Sequence, residues 1–143
     1  MPTISRTVVA TQPIKAVFTY LADFANAEEW DAGTVSCRRL SGTGAVGTTY
    51  ENVSSFRGRQ TTLVYEVMEY VNEQRLVLRG ANKTVTAVDT MTFEAVPEGT
   101  RVTYSADFTF KGAAALLTPF LKRPLAKLGD DAERSLAAAL ARL

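Results

Sequence analysis

Residues 102–110 read Val102-Thr103-Tyr104-Ser105-Ala106-Asp107-Phe108-Thr109-Phe110, an alternation of apolar or aromatic side chains with small or polar ones. Successive strand residues point to opposite faces, so Val102, Tyr104, Ala106, Phe108 and Phe110 share one side and Thr103, Ser105, Asp107 and Thr109 the other. One buried face and one wet face suit an antiparallel sheet. The pattern stops at Lys111-Gly112. Beyond it Leu117, Leu121, Leu125, Leu128, Ala132, Leu136 and Leu140 recur every three or four residues, the stripe of an amphipathic helix that must cover something. Pro119 and Pro124 each remove a backbone donor and crowd the preceding turn, which predicts an irregular opening and a regular helix from about residue 122.

Reading backwards, the alternation predicts strands near 84–96, 75–81, 60–71, 47–56 and 34–41. Their separators are short and turn-like (Arg57-Gly58, Val71-Asn72-Glu73, Ala81-Asn82-Lys83, Pro97-Glu98-Gly99), so consecutive strands are expected to be hairpin neighbours. A first strand spans 3–10, with Ile4, Arg6, Val8 and Ala10 on one face. Thr11-Gln12-Pro13 then opens a helix carrying Ile14, Val17, Phe18 and Leu21, and Asp23 starts a second short helical piece ending at Trp30. The chain shows neither linker nor repeat. The expectation is one α+β domain over residues 1–143: a curved antiparallel seven-stranded sheet wrapped around a long C-terminal helix, with two short helices after strand 1.

Composition narrows the function. Hydrophobic residues make up 46% of the 143 and charged residues 22%, an ordinary globular balance. Sixteen Lys and Arg against 15 Asp and Glu leave a net charge of +1, without the basic block of a nucleic-acid binder. The start, Met1-Pro2-Thr3-Ile4-Ser5-Arg6, has no apolar signal region, and no stretch reaches the length of a membrane span. Cys37 is the only cysteine, so no internal disulfide is possible, and a cytoplasmic location is expected. Cys37 itself reads as a small buried apolar residue rather than a nucleophile. There is no histidine, which removes histidine triads, histidine-containing zinc sites and the commonest general base. Neither a metal nor a cofactor is expected.

Several phrases resemble the START-like (SRPBCC, polyketide cyclase/dehydrase) superfamily. They are Ala10-Thr11-Gln12-Pro13 with Val17-Phe18 and Tyr20-Leu21-Ala22-Asp23, Trp30 after the second short helix, and Gly44-Ala45-Val46-Gly47-Thr48 before the third strand. Glu66-Val67 with Glu69-Tyr70 and Arg75-Leu76, then Phe93 with Gly99-Thr100-Arg101-Val102-Thr103, and Lys111-Gly112 before the last helix, complete the likeness over nearly the whole chain. The resemblance implies a helix-grip fold with a cavity between the concave sheet and the final helix. It implies a hydrophobic ligand (lipid, sterol, polyketide, quinone or plant hormone), with cyclisation or dehydration catalysed by a minority. The family has no universal catalytic motif, so none is carried over.

Gly42-Thr43-Gly44-Ala45-Val46-Gly47 fits a dinucleotide-binding pattern literally, but a helix must follow for its N-terminus to meet a pyrophosphate. Thr48-Thr49-Tyr50-Glu51-Asn52-Val53 alternates as a strand, so the glycines read as a turn. Asp89 shares a face with Ala87, Met91 and Phe93. Buried there it needs a partner such as Arg79 or a tyrosine, or it points into a wet cavity; on the plainer reading it sits near a strand end and meets solvent. Tyr50, Tyr65 and Tyr104 are the best candidates to orient a ligand through their hydroxyls. Arg6, Arg59 and Arg79 more commonly occupy a solvated face. Glu66, Glu69 and Glu73 read as exposed, although a carboxylate pair could act as acid and base.

The expected ligand-binding residues are Trp30, Tyr50, Leu63, Tyr65, Leu76, Leu78, Asp89, Met91, Phe93, Tyr104, Phe108, Leu117 and Leu121, with Phe108, Phe110 and Phe120 near the mouth. Three functions compete: binding or transport of a small hydrophobic molecule, a polyketide cyclase or dehydratase, and a protein-interaction module whose cavity is filled. An inward Asp89 with a raised pKa would favour the enzyme, and a filled cavity the module. The Ala- and Leu-rich tail from Leu136 to Leu143 could pack between chains, which leaves monomer or homodimer open.

Overall fold

The computed structural model describes residues 2–143. Strands β1 (Thr3–Ala10), β2 (Thr34–Ser41), β3 (Thr49–Phe56), β4 (Arg59–Val71), β5 (Arg75–Ala81), β6 (Val85–Val96) and β7 (Gly99–Phe110) form one sheet. Its order is β1-β7-β6-β5-β4-β3-β2, and all neighbours are antiparallel. Chain neighbours pair from β2 to β7, as their short separators require, and β1 closes the far edge against β7. Arg57 and Gly58 turn between β3 and β4 with φ of 54° and 79°, the two positive values of a two-residue hairpin turn matched to strand twist. Gly42, Gly44 and Gly47 lie in the turn between β2 and β3, with a strand rather than a helix behind them.

Two short helices, α1 (Ile14–Ala22) and α2 (Ala27–Trp30), follow β1, joined by a 3-10 turn at Phe24–Asn26. Asp23 starts that turn by accepting from the Ala25 amide at 3.1 Å. After β7, residues Gly112–Phe120 form a 3-10 segment, and the regular helix α3 runs from Lys122 to Ala141. Pro119 lies within the 3-10 stretch and Pro124 in the first turn of α3, where the missing donor would have no helical partner.

The buried stripe of α3 is Leu125, Gly129, Ala132, Leu136, Ala139 and Leu140. Its two halves meet different things. Leu136, Ala139 and Leu140 join a solid core with Phe18, Leu21, Trp30, Leu76, Met91 and Phe93. There α1 plugs the sheet: Phe18 packs edge-on against Phe93 (5.0 Å between centroids) and Tyr70 (5.3 Å). Burial of such a side chain contributes about 1.5–3 kcal/mol. The front half of α3 packs instead in a smaller cluster, where Leu125 and Leu121 meet Ile4. The tail from Leu136 to Leu140 is therefore occupied within its own chain.

Arg6, on the concave side of β1, is not a solvated face residue. Its Nη2 donates to Asp130 Oδ1 at 2.9 Å and to the Ala126 carbonyl at 3.1 Å, and its Nε lies 3.6 Å from Glu133. The arginine thus ties α3 to the edge strand. Arg59 and Arg79 are exposed.

Candidate ligand-binding site

Where the solid core ends, a cavity of about 150 Å³ remains between the sheet and the front half of α3. Its floor follows from register. Ile4, Ala106 and Asp89 lie side by side across β1, β7 and β6, and Tyr65, Gly80, Ala87 and Phe108 form the next row. Asn52 pairs with Leu63 in the row after that. Leu125, Leu128, Gly129 and Ala132 of α3 form the roof. Gly80 has a specific task here: a β-carbon would stand 2.6 Å from Tyr65 Cζ, so only glycine lets the tyrosine ring lie across β5.

The walls are mainly apolar, and the polar groups converge from few places. Asp89 is 5% exposed and lines the cavity. Tyr104 Oη donates to its Oδ2 at 3.2 Å. The expectation that Asp89 meets solvent is therefore corrected: it sits in the middle of β6, on the concave face, and its partner is Tyr104 while Arg79 is exposed. Burial raises the Asp89 pKa from 3.8 to about 7; the charge of Asp31 adds to this and the Tyr104 hydrogen bond opposes it. Asp31 also lines the cavity, and its pKa is raised by burial against hydrogen bonds from the Gly33 amide (3.0 Å) and the Thr34 hydroxyl (2.9 Å). Burial pushes the Tyr65 and Tyr104 hydroxyls well above their usual range, with Asp89 adding to both. Among the described residues no lysine or arginine lines this cavity.

Of the residues expected at the ligand, Leu63, Tyr65, Asp89, Tyr104 and Phe108 come together in this wall. Tyr50, Leu76, Leu78, Met91 and Phe93 also point inward but lie in the solid core, away from the cavity. Trp30 stands behind the wall, edge-on to Tyr104 at 5.7 Å, and its buried indole N–H has no hydrogen-bond partner among the described residues. Leu121 is buried beside Ile4 and Leu125. Leu117, at 55% exposure, and Phe120, at 74%, lie on the outside of the 3-10 segment. Phe110 lines the cavity.

Sequence reasoning passed over Asp31, Asn52 and Ser54. Two of these carried a usable signal, because period two from Tyr50 puts Asn52 and Ser54 on the same inward face. They form a small polar chain: Ser54 donates to Asn52 Oδ1 at 2.5 Å, and Asn52 Nδ2 donates to the Thr34 hydroxyl at 3.1 Å. Asp31-Ala32-Gly33-Thr34 reads as an Asx turn, which predicts the local hydrogen bonds but not a cavity beside them. Cys37 is buried, and burial pushes its thiol up to about 11. Among the described residues no cluster of ligating side chains could hold a metal ion, and no helix is long and apolar enough to cross a membrane.

The family described as polyketide cyclase / dehydrase and lipid transport matches residues 1–143. No curated protein matches the chain. Among solved structures, a START superfamily protein from Mycobacterium smegmatis superposes with a TM-score of 0.79 at 12% identity, covering 96% of each chain. A protein from Thermus thermophilus gives 0.78 at 17% identity, over 97% of this chain and 95% of that one. A Streptomyces aromatase/cyclase gives 0.77 at 13% identity, over 96% of this chain and 90% of the other. At these identities the likeness is one of fold.

Proposed function

The chain belongs to the polyketide cyclase/dehydrase and lipid-transport family, and on that premise we propose that it binds a small, largely apolar molecule in the cavity under α3, in the manner of a carrier. The supporting observation is a mainly apolar cavity whose polar groups meet at the Asp89–Tyr104 pair. A volume of about 150 Å³ is that of a cavity able to take one benzene-sized ring. It lies below the usual range for drug-sized ligands. The ligand is therefore a single ring or short chain, or a longer molecule of which one end enters. Without a basic group in the wall, a carboxylate or phosphate is disfavoured there. A hydroxyl or carbonyl suits it, since Asp89 accepts when ionised and donates when protonated. The ligand contacts in this reading are Leu63, Tyr65, Asp89, Tyr104 and Phe108 from the sheet, with Leu125 and Leu128 from the helix. The proposed setting is the cytoplasm.

The test is native mass spectrometry of the purified protein followed by denaturing extraction, together with titration of an environment-sensitive naphthalene dye. A co-purifying apolar molecule, or saturable dye binding that Ala106→Phe abolishes by filling the cavity, is the expected result. An empty protein whose dye binding is unchanged in Ala106→Phe would sink the reading.

One observation favours a second reading. A carboxyl group with a pKa near neutrality, hydrogen-bonded to a tyrosine inside an apolar cavity, is suited to proton transfer at physiological pH. This supports a cyclase- or dehydratase-type enzyme in which Asp89 exchanges a proton with a bound carbonyl or hydroxyl and the walls hold the substrate folded. Asp89→Asn separates the two readings, because it retains ligand binding in a carrier and stops turnover in an enzyme. The filled-cavity interaction module is the least supported, since the cavity has room for a ligand.

A further inference from the structure

The 3-10 segment between β7 and α3 carries a surface feature that the cavity does not explain. Leu116 is 77% exposed, Leu117 55% and Phe120 74%. Three residues per 3-10 turn place Leu117 and Phe120 on one face, with Leu116 beside them. The opposite side of the segment is turned inward: Thr118 borders a groove against Pro2, Thr3 and Ile4, and the following Leu121 is buried. The three apolar side chains thus project together from a segment whose half-buried Thr118 lies on the other side.

The unpaired charges next to this projection in the chain have one sign. Between Asp107 and Asp130 the charged residues are Lys111, Lys122, Arg123 and Lys127, with no carboxylate among them, in a chain whose net charge is +1. Lys111, Lys122 and Arg123 form no ion pair among the described residues. Arg123 also lines a groove with Arg57 at the end of the β3–β4 hairpin, where Lys127 is paired with Asp131 at 3.0 Å. Gly33, Ser55, Phe56 and Leu128 line both that groove and the cavity, so the groove beside Arg123 adjoins the cavity.

We propose that Leu116, Leu117 and Phe120, flanked in the chain by the unpaired Lys111, Lys122 and Arg123, dock this face reversibly on an anionic lipid bilayer. A projecting apolar wedge with basic flanks matches the acyl boundary below and the phosphate layer around it. A second copy of the chain is a poorer occupant, because a two-fold contact through this patch would bring six unpaired cations together. Docking concerns the outer surface and holds whatever the cavity binds.

The experiment is vesicle flotation of the full chain with pure phosphatidylcholine and with mixed phosphatidylglycerol/phosphatidylcholine vesicles, at low and high salt. Binding to the mixed vesicles alone, weakened by salt, is expected. Lys122→Glu with Arg123→Glu should lower the partition coefficient by at least about fivefold per cation removed. Leu117→Ser with Phe120→Ser should lower it by about tenfold or more, since both side chains are exposed in the free protein and their loss leaves the core intact. Ala106→Phe, which fills the cavity, should leave docking unchanged, so failure of the carrier reading is distinguishable from failure of this one. Absence of binding to both vesicle types would overturn the proposal, as would equal binding to both or unchanged binding by the serine variant. A dimer in sedimentation velocity that the serine variant dissolves, without vesicle binding, would assign the patch to a second copy instead.

Discussion

The ring of Tyr65 lies across Gly80 so closely that a β-carbon on the glycine would stand 2.6 Å from Cζ and 2.7 Å from Cε2 of the ring. Tyr65 also packs against Phe24 at 4.9 Å and lines the cavity, so its position fixes part of the wall. Gly80→Ala must displace a buried aromatic ring into the cavity or bend β5. The expected cost is about 1–3 kcal/mol, the usual range for overpacking. Urea denaturation reads the stability and the naphthalene dye reads the cavity; both should fall together. A variant as stable as the wild type with intact dye binding would mean the ring has somewhere else to go.

Asp89 makes stability depend on pH with a definite sign. Its pKa rises from an ordinary 3.8 to about 7 in the folded protein, so the folded state holds the proton more tightly than the unfolded one. Its contribution is fully present below about pH 4 and is lost as pH rises through about 7. The difference corresponds to roughly 4 kcal/mol between the two limits. Asp31, raised in the same direction, adds a slope of the same sign. Asp89→Asn should remove most of the decline and be more stable than the wild type at about pH 8. Urea midpoints measured across this range check it, and a wild-type stability that climbs from about pH 4 to 7 would contradict the assignment.

How much of this could be read in the sequence depends on what periodicity measures. The alternation of β7 and β6 assigns faces, and it put Tyr104, Ala106 and Phe108 on the concave side with Asp89, Met91 and Phe93. Alternation does not say which end of a concave face is plugged. Met91, Phe93 and Leu76 lie where α1 and the back of α3 pack, whereas Asp89, two residues before Met91, lies where the packing stops. That boundary is set by helix placement, to which the strand pattern is blind. For the same reason Leu117 belongs to the leucine stripe by spacing, yet lies before α3 begins, in the 3-10 segment that contains Pro119, and is exposed. Asn52 and Ser54 share the inward face with Tyr50 by period two, although polar residues on a strand usually face water.

Gly129 sets the height of the cavity roof. A β-carbon there would meet Ile4 Cγ2 at 2.5 Å and Arg6 Nη2 at 2.9 Å, so α3 can cross β1 this closely only without a side chain. In an exposed helix Gly→Ala would gain up to about 1 kcal/mol. Here the methyl of a buried isoleucine blocks it, and the clash outweighs the propensity. Gly129→Ala is expected to destabilise by about 1–2 kcal/mol net. It should also raise hydrogen exchange in residues 122–130, as α3 lifts from Ile4 and the Arg6 contacts loosen. Greater stability with unchanged exchange would show that Ile4 yields easily.

Cys37 offers a single-site report on the β2 side of the fold. It is the only thiol, it is buried, and its amide donates to Glu28 Oε2 at 2.7 Å, which holds β2 against α2. Burial is the largest cause lifting the thiol from 9.0 to about 11. Near pH 8 such a shift leaves about a hundredfold less thiolate than an ordinary cysteine would have, and the thiolate is the reactive form. Labelling by a thiol reagent should therefore be at least about a hundredfold slower than for a free cysteine. It should accelerate in sub-denaturing urea as the β2 region opens. Glu28→Gln keeps the shape of the acceptor but weakens the charge-assisted hydrogen bond, and should speed labelling without exposing the cavity to the dye differently. Labelling of the wild type at the rate of an exposed cysteine would instead make Cys37 a reactive group, contrary to its reading as a structural one.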